Sequence, residues 1–271
     1  MKKTHSANSK SSLCAVAYFV MMTMVVSFAA KAQNDTVNPL ISTTGPNVLD
    51  AGKLQLNGEM TWFHYYNYFN HADELGAGAG LRWGIGNRAE LTFGVKHEIF
   101  NMVGSDTITD SYRTTPSLGA RLMLYEGNKV LPTITFQTGV ALPIGRNVNW
   151  GRFDDTHLQP SMVIQFRNRI GRRWMIDYAF GIEWYTPQFS THMYGDFLYS
   201  VAARWVASDR LMLGIVVADR YLNSGCGLEV LYQATPTLQL GAKANFSGIF
   251  DGFSAPVNNF NATVGINWML K

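Results

Sequence analysis

Charged residues fall at every second position through long parts of this sequence, and that spacing is where its chemistry begins. In "LRWGIGNRAELTFGV" (81–95), Arg82, Arg88 and Glu90 alternate with apolar residues. The same parity, followed along the chain, adds Lys96, Arg121, Arg167, Arg173, Asp177, Glu183, Arg204, Arg210 and Lys243. Residues two apart on a β-strand point to one face, so these side chains are expected to line one surface, a lumen. Nine of the twelve are basic. A ring of basic side chains around a pore favours anionic or polar-neutral solutes over cations. Paired with carboxylates across a closed interior, the same set would form a structural network instead.

Covalent chemistry finds weaker support. "FSTHMYGD" (189–196) brings Ser190, His192 and Asp196 together, and "FDDTH" (153–157) brings Asp154, Asp155 and His157. A hydrolase needs a nucleophile, a histidine and an orienting polar group in register, yet no nucleophile elbow is present. Ser, His and Asp are common in any polar loop. His64, His71, His97, His157 and His192 lack metal-ligand spacing, and no calcium-loop pattern occurs. "GAGAG" (76–80) lacks the G-x-G-x-x-G spacing of a dinucleotide site. The expectation is no catalytic residue, no metal and no cofactor.

The elements that must position the charged set are strands. Alternation breaks at short polar turns (Gly86-Asn87, Gly127-Asn128, Gly171-Arg172, Ser208-Asp209, Thr235-Pro236) and then resumes. Longer segments rich in Asn, Asp, Gly, Ser and Pro separate the hairpins at 101–114, 144–157, 186–193 and 248–259. This punctuation predicts strands near 54–67, 74–85, 88–100, 116–125, 130–142, 159–170, 173–185, 194–206, 210–221, 226–234, 237–247 and 260–270. Most exceed the usual soluble strand of about 5–6 residues and match the roughly 9–11 that a tilted membrane strand needs.

The uncharged parity is apolar: Leu81, Trp83, Ile85; Leu91, Phe93, Val95; Trp174, Ile176, Tyr178, Phe180. Trp83, Trp174, Trp184, Trp205 and Trp268 stand near strand ends, where an interfacial aromatic girdle belongs. A soluble barrel would place the apolar set inside. The reading is therefore all-β: an antiparallel transmembrane β-barrel of about twelve strands, short turns at one end and longer loops at the other. Glycines such as Gly76, Gly78, Gly80, Gly94, Gly119 and Gly139 share the charged parity. There they ease curvature, and at some positions they would clear room in a lumen.

The start of the chain reads as an export signal. Lys2, Lys3 and Lys10 precede an apolar run from Leu13 to Ala30, closed by Ala-Lys-Ala before Gln33. This predicts a cleaved signal peptide over 1–32, a periplasmic N-terminal segment over 33–52 and the barrel over 53–271. Loss of the leader's four lysines leaves 18 basic against 19 acidic residues, so global charge makes no case for nucleic acid. One cysteine, Cys226, then remains, which excludes an internal disulfide.

Several segments resemble a known outer-membrane family, named for the MetA-pathway of phenol degradation and described as transporters. "ISTTGPNVLDAGKLQLNGEMTW" (41–62) is similar to its plug-like lead-in and first strand. "LYEGNKVLPTITFQTGVALPIG" (124–145) resembles its central hairpin and "GLEVLYQATPTLQLGAKANF" (227–246) its penultimate pair. The chain departs from that pattern at Thr44-Gly45-Pro46, where Asp-Arg-Pro is usual, and at Gly241, where a carboxylate is common. It also ends on Lys271 instead of an aromatic. The resemblance implies an outer-membrane channel or transporter for small solutes, polar or anionic and including aromatic ones. The partners it implies are outer-membrane lipid, the barrel-assembly machinery during biogenesis, and a small-molecule solute of unknown identity. Two other classes stay open: an outer-membrane lipid-modifying enzyme, and a structural or surface-interaction barrel without transport.

Overall fold

A computed structural model describes residues 46–66, 71–103, 108–128, 131–146, 157–186, 192–220, 223–247 and 258–270. The expected signal peptide, and the N-terminal segment as far as residue 45, lie outside the described residues.

Thirteen strand segments follow one another: β1 (Leu54–Tyr66), β2 (His71–Gly86), β3 (Ala89–Val103), β4 (Ile108–Tyr125), β5 (Thr133–Ala141), β6 (Ile144–Arg146), β7 (Gln159–Ile170), β8 (Trp174–Tyr185), β9 (Tyr194–Val206), β10 (Leu211–Arg220), β11 (Asn223–Thr235), β12 (Leu238–Ser247) and β13 (Asn258–Met269). All pairings are antiparallel between strands that follow one another, except that β5 and β6 both pair with β4 and β7 pairs with β5; β1 pairs with β13 to close the sheet. β5 and β6 are two pieces of one strand, so the molecule is a closed antiparallel barrel of 12 strands. Closure leaves no unpaired edge, which is what a strand needs to cross lipid.

The break between β5 and β6 has a local cause. Leu142 N–H donates to Pro116 O (3.0 Å), so Pro116 turns its peptide groups toward Leu142 and Pro143. Proline has no N–H to return. The ladder fails there, between Ser117↔Ala141 and Thr114↔Ile144, and resumes beyond. The same proline explains a correction. Residues 101–114, read from composition as a loop, are mostly strand: β3 runs to Val103, and β4 starts at Ile108. Polar residues and Pro116 masked an alternation that continues well past the expected end.

Register shifts at Gly84/Gly86, Met123/Tyr125 and Gln233/Thr235 all fall at the short-turn end. Bulges of this kind sharpen twist where a strand must turn back. Both ends of the barrel sheet, Leu54 and Met269, lie at that same end, which in outer-membrane barrels is the periplasmic one.

The faces separate cleanly. Outward positions carry Trp83, Phe93, Leu118, Ile182, Ile215, Leu228 and Val264, all large apolar residues left exposed by the protein. Trp83, Trp174, Trp205 and Trp268 form a girdle at the short-turn end, with Trp174 and Trp205 ring centroids 6.4 Å apart. A second girdle at the loop end holds Trp62, Phe246 and Phe260, and on the far side Phe180 and Phe197. Two aromatic belts bounding an apolar band are what a bilayer selects.

Candidate functional site

The inward side chains build two different zones along the barrel axis. At the short-turn end they close into a buried, ion-paired layer. Arg82 on β2 donates from Nε and Nη2 to both oxygens of Glu90 on β3 (2.9 and 2.8 Å), and from Nη1 to Gln55 Oε1 on β1 (3.1 Å). Arg121 on β4 reaches Glu90 Oε1 (3.3 Å) and Gln165 Oε1 on β7 (2.5 Å). Across the barrel, Arg167 holds Asp177 with two bonds (2.6 and 2.7 Å). Arg204 bonds Asp177 and Glu229 (2.8 Å to Glu229). Glu90 and Asp177 are fully buried. Burying charge is tolerable only when it is paired and hydrogen-bonded, and Glu90 and Asp177 each meet two guanidiniums.

The chain before β1 enters this layer. Pro46 O accepts from Thr135 Oγ1 (2.5 Å), Asn47 O from Arg82 Nη2 (2.8 Å), and Asn47 Oδ1 from Arg167 Nη1 (2.9 Å). Leu49 N–H donates to Glu90 Oε2 (2.8 Å), and the Leu49 side chain is buried. Residues 46–49 thus lie inside the barrel mouth, with three of their backbone groups bonded by wall side chains. The chain leaves through a tight reversal in which Gly52 adopts φ +77° and donates to Gly84 O (2.8 Å). Gly84 lets the two backbones meet: a Cβ there would stand 2.0 Å from Asp50 O.

Above the layer the wall thins. Gly80 pairs with Gly94 and Gly119 with Gly139, so four adjacent strands present bare backbone to the interior. Ser117 and Glu59 on this inward face are solvent-exposed, consistent with an open, watered space. Near the loop end, Glu98 holds Lys96 (2.7 Å) and Arg113 (2.6 Å), both of them partly exposed. Lys243 on β12 pairs in register with Glu229.

The residues singled out by parity fall into three groups. Arg82, Glu90, Arg121, Arg167, Asp177 and Arg204 meet in the buried layer. Lys96, Glu183 and Lys243 face inward higher up. Arg88, Arg173 and Arg210 sit exposed in the short turns, outside the barrel proper. Strand parity extends into a turn on paper, but a turn no longer aims its side chains at the lumen.

Parity also left out inward residues that matter. Glu59, Glu74, Glu98 and Glu229 share the inward face and offset most of the basic excess. Arg113 was hidden in the segment read as a loop. What remains is a difference by height: the buried layer holds four guanidiniums against three carboxylates. Among the described inward residues of the loop half, Glu59, Glu74, Glu98 and Glu183 stand against Lys96, Arg113 and Lys243. The contacts of Pro46, Asn47 and Leu49, which are largely through backbone, carry no periodic signal.

Among the catalytic candidates, Ser190, Asp154 and Asp155 lie outside the described residues, and His157 and His192 are exposed. Among the described residues no group of three His, Cys, Asp or Glu is placed to hold a metal ion.

Known structures share this architecture. The COG4313 outer membrane channel from Pseudomonas putida F1 superposes with a TM-score of 0.58 at 12% identity, over 86% of this chain and 100% of that one. The chain is an outer-membrane β-barrel. The translocator domain of the autotransporter NalP from Neisseria meningitidis follows at TM-score 0.49 and 9% identity, over 97% and 98%. The KdgM porin in complex with disordered oligogalacturonate follows at 0.44 and 9%, over 78% and 98%. At these identities the likeness concerns the fold. No family model and no curated protein matches the chain.

Proposed function

We propose that this outer-membrane barrel is a channel for small polar or anionic solutes. Its resistance lies in the arginine-rich layer around segment 46–50. The carrying observation is that layer: four guanidiniums against three carboxylates at the short-turn end, below an inward face on which Gly80, Gly94, Gly119 and Gly139 leave bare backbone. Charge at a constriction acts at short range and in low dielectric, so it outweighs the more acidic but watered loop half. Twelve strands also sit between the eight whose side chains fill a barrel and the sixteen or so of an open porin. The strand motifs similar to the MetA-pathway family point the same way, toward uptake of small molecules. Outer-membrane lipid and the barrel-assembly machinery are its partners in this reading.

Reversal potentials across a salt gradient in planar bilayers test it. The parent should prefer anions, and Arg82→Gln with Arg204→Gln should lose that preference, once folding is verified by heat-modifiable gel mobility. Cation preference in the parent contradicts the proposal.

A further inference from the structure

The outward face holds an anomaly unrelated to the lumen. Three titratable side chains stand together on the outward face of the neighbouring strands β1, β2 and β3: His64, Asp73 and His97. Charged or titratable groups facing lipid are costly and are kept out of the apolar band unless they have a role.

These residues form a built site. Asp73 Oδ1 accepts from Trp62 Nε1 (3.0 Å) and pairs with His64 Nδ1 (2.9 Å). That fixes the tautomer of His64 and leaves its Nε2 without an assigned partner, on a ring about one-third exposed. Trp62 is further held edge-on by Phe260, with centroids 5.6 Å apart. Directly beneath, Met60, Trp62, Leu75, His97, Ile99 and Val264 line a cleft of about 280 Å³, almost wholly apolar, with Ala77 at its centre. His97 is anchored through Nδ1 to Thr114 Oγ1 (2.9 Å).

The height of the site matters. His64 lies ten residues beyond Leu54, whose register partner Trp83 belongs to the short-turn girdle. At roughly 3.3 Å per residue and a tilt near 40°, that places it about 25 Å above that girdle, the height of the apolar band. The imidazole therefore stands where lipid head groups begin, and the cleft opens below it into the acyl region.

We propose that this face is a specific site for one lipid molecule, with an acyl chain in the cleft and a head-group hydrogen-bond donor, such as the ammonium of phosphatidylethanolamine, on the accepting Nε2 of His64. The membrane itself supplies the occupant, since every outward side chain of the band is bathed in lipid. The site adds a shaped apolar slot and an oriented hydrogen-bonding group at the matching depth. Asp73 and Trp62 act as positioning residues: one orients the imidazole, the other forms the wall between head group and chain.

Native mass spectrometry of the full-length protein tests this. The protein is reconstituted with phosphatidylethanolamine and phosphatidylglycerol and then washed in delipidating detergent. The parent should retain one phosphatidylethanolamine per barrel in preference to phosphatidylglycerol. Ala77→Phe and Met60→Trp, which fill the cleft, should each lower retention at least about tenfold, and His64→Ala should lower it as well. Ala79→Phe, one outward step along β2 and outside the cleft, should retain lipid as the parent does. Folding of every variant is read from heat-modifiable mobility. Equal retention in parent, Ala77→Phe and Met60→Trp would mean annular lipid only and would overturn the proposal. So would a parent stripped bare, or a barrel retaining a second copy of itself in place of lipid.

Discussion

The short-turn half and the loop half of the lumen are made from the same alternation, yet they use charge in opposite ways. In the short-turn half, Glu90 and Asp177 are sealed from water, and each is shared between two arginines. In the loop half, Glu98 likewise holds two cations, but the Lys96 and Arg113 side chains remain 34% and 22% exposed. Each of these three carboxylates holds two cations; what differs is the access of water to the cations. Desolvation makes the first set rigid and hard to break, whereas the second can trade a partner for water at little cost.

That contrast can be broken by removing one carboxylate from each half. Asp177→Ala leaves Arg167 and Arg204 buried with one fewer partner, and it should cost about 3–5 kcal/mol, as loss of one member of a buried pair does. Glu98→Ala should cost about 1 kcal/mol, since Lys96 and Arg113 can turn to lumen water. Urea titration of protein refolded into lipid vesicles measures both. Equal costs would erase the distinction between the halves.

A smaller effect sharpens the assignment of faces. Phe93→Arg puts a charge into the lipid band and should cost about 2–4 kcal/mol or prevent assembly. The neighbouring Thr92→Arg points into the glycine-walled lumen and should lie within about 0.5 kcal/mol of the parent. Heat-modifiable mobility and refolding yield report on both, and similar losses would mean the faces are misassigned. The smallest effect expected is on Arg173. Changed to Gln in an exposed turn, it should leave both stability and ion preference unchanged.

Strand order, hairpin pairing and the inside–outside alternation were legible in the sequence because a period of two is written residue by residue. The β3–β4 hairpin was only partly legible: Pro116 and a run of polar residues look like a loop, although the alternation continues through them. The candidate site was legible as a face and not as a place. Parity finds Arg82 and Arg204 but equally finds Arg88 and Arg210, and only the turn geometry separates them. Segment 46–50 was beyond reach as a contact surface. Its lodging depends largely on carbonyl and amide groups that every residue carries, and on the bare backbone of Gly84 opposite. The outward His64–Asp73 pair was not legible: His64 fell within an expected strand, but Asp73 lay before the expected start of the next one at 74, and β2 in fact begins at His71. That they meet depends on the register of β1 against β2.

In the proposed channel the buried layer with its inserted segment sets the resistance, while the half above, with its bare glycines, contributes little. Single-channel conductance in planar bilayers tests this most directly, comparing the parent with a chain from which Pro46–Asp50 has been deleted. The account predicts a clear rise in conductance with anion preference retained, because the guanidiniums of the wall stay while the backbone among them is gone. Conductance unchanged by the deletion would contradict it.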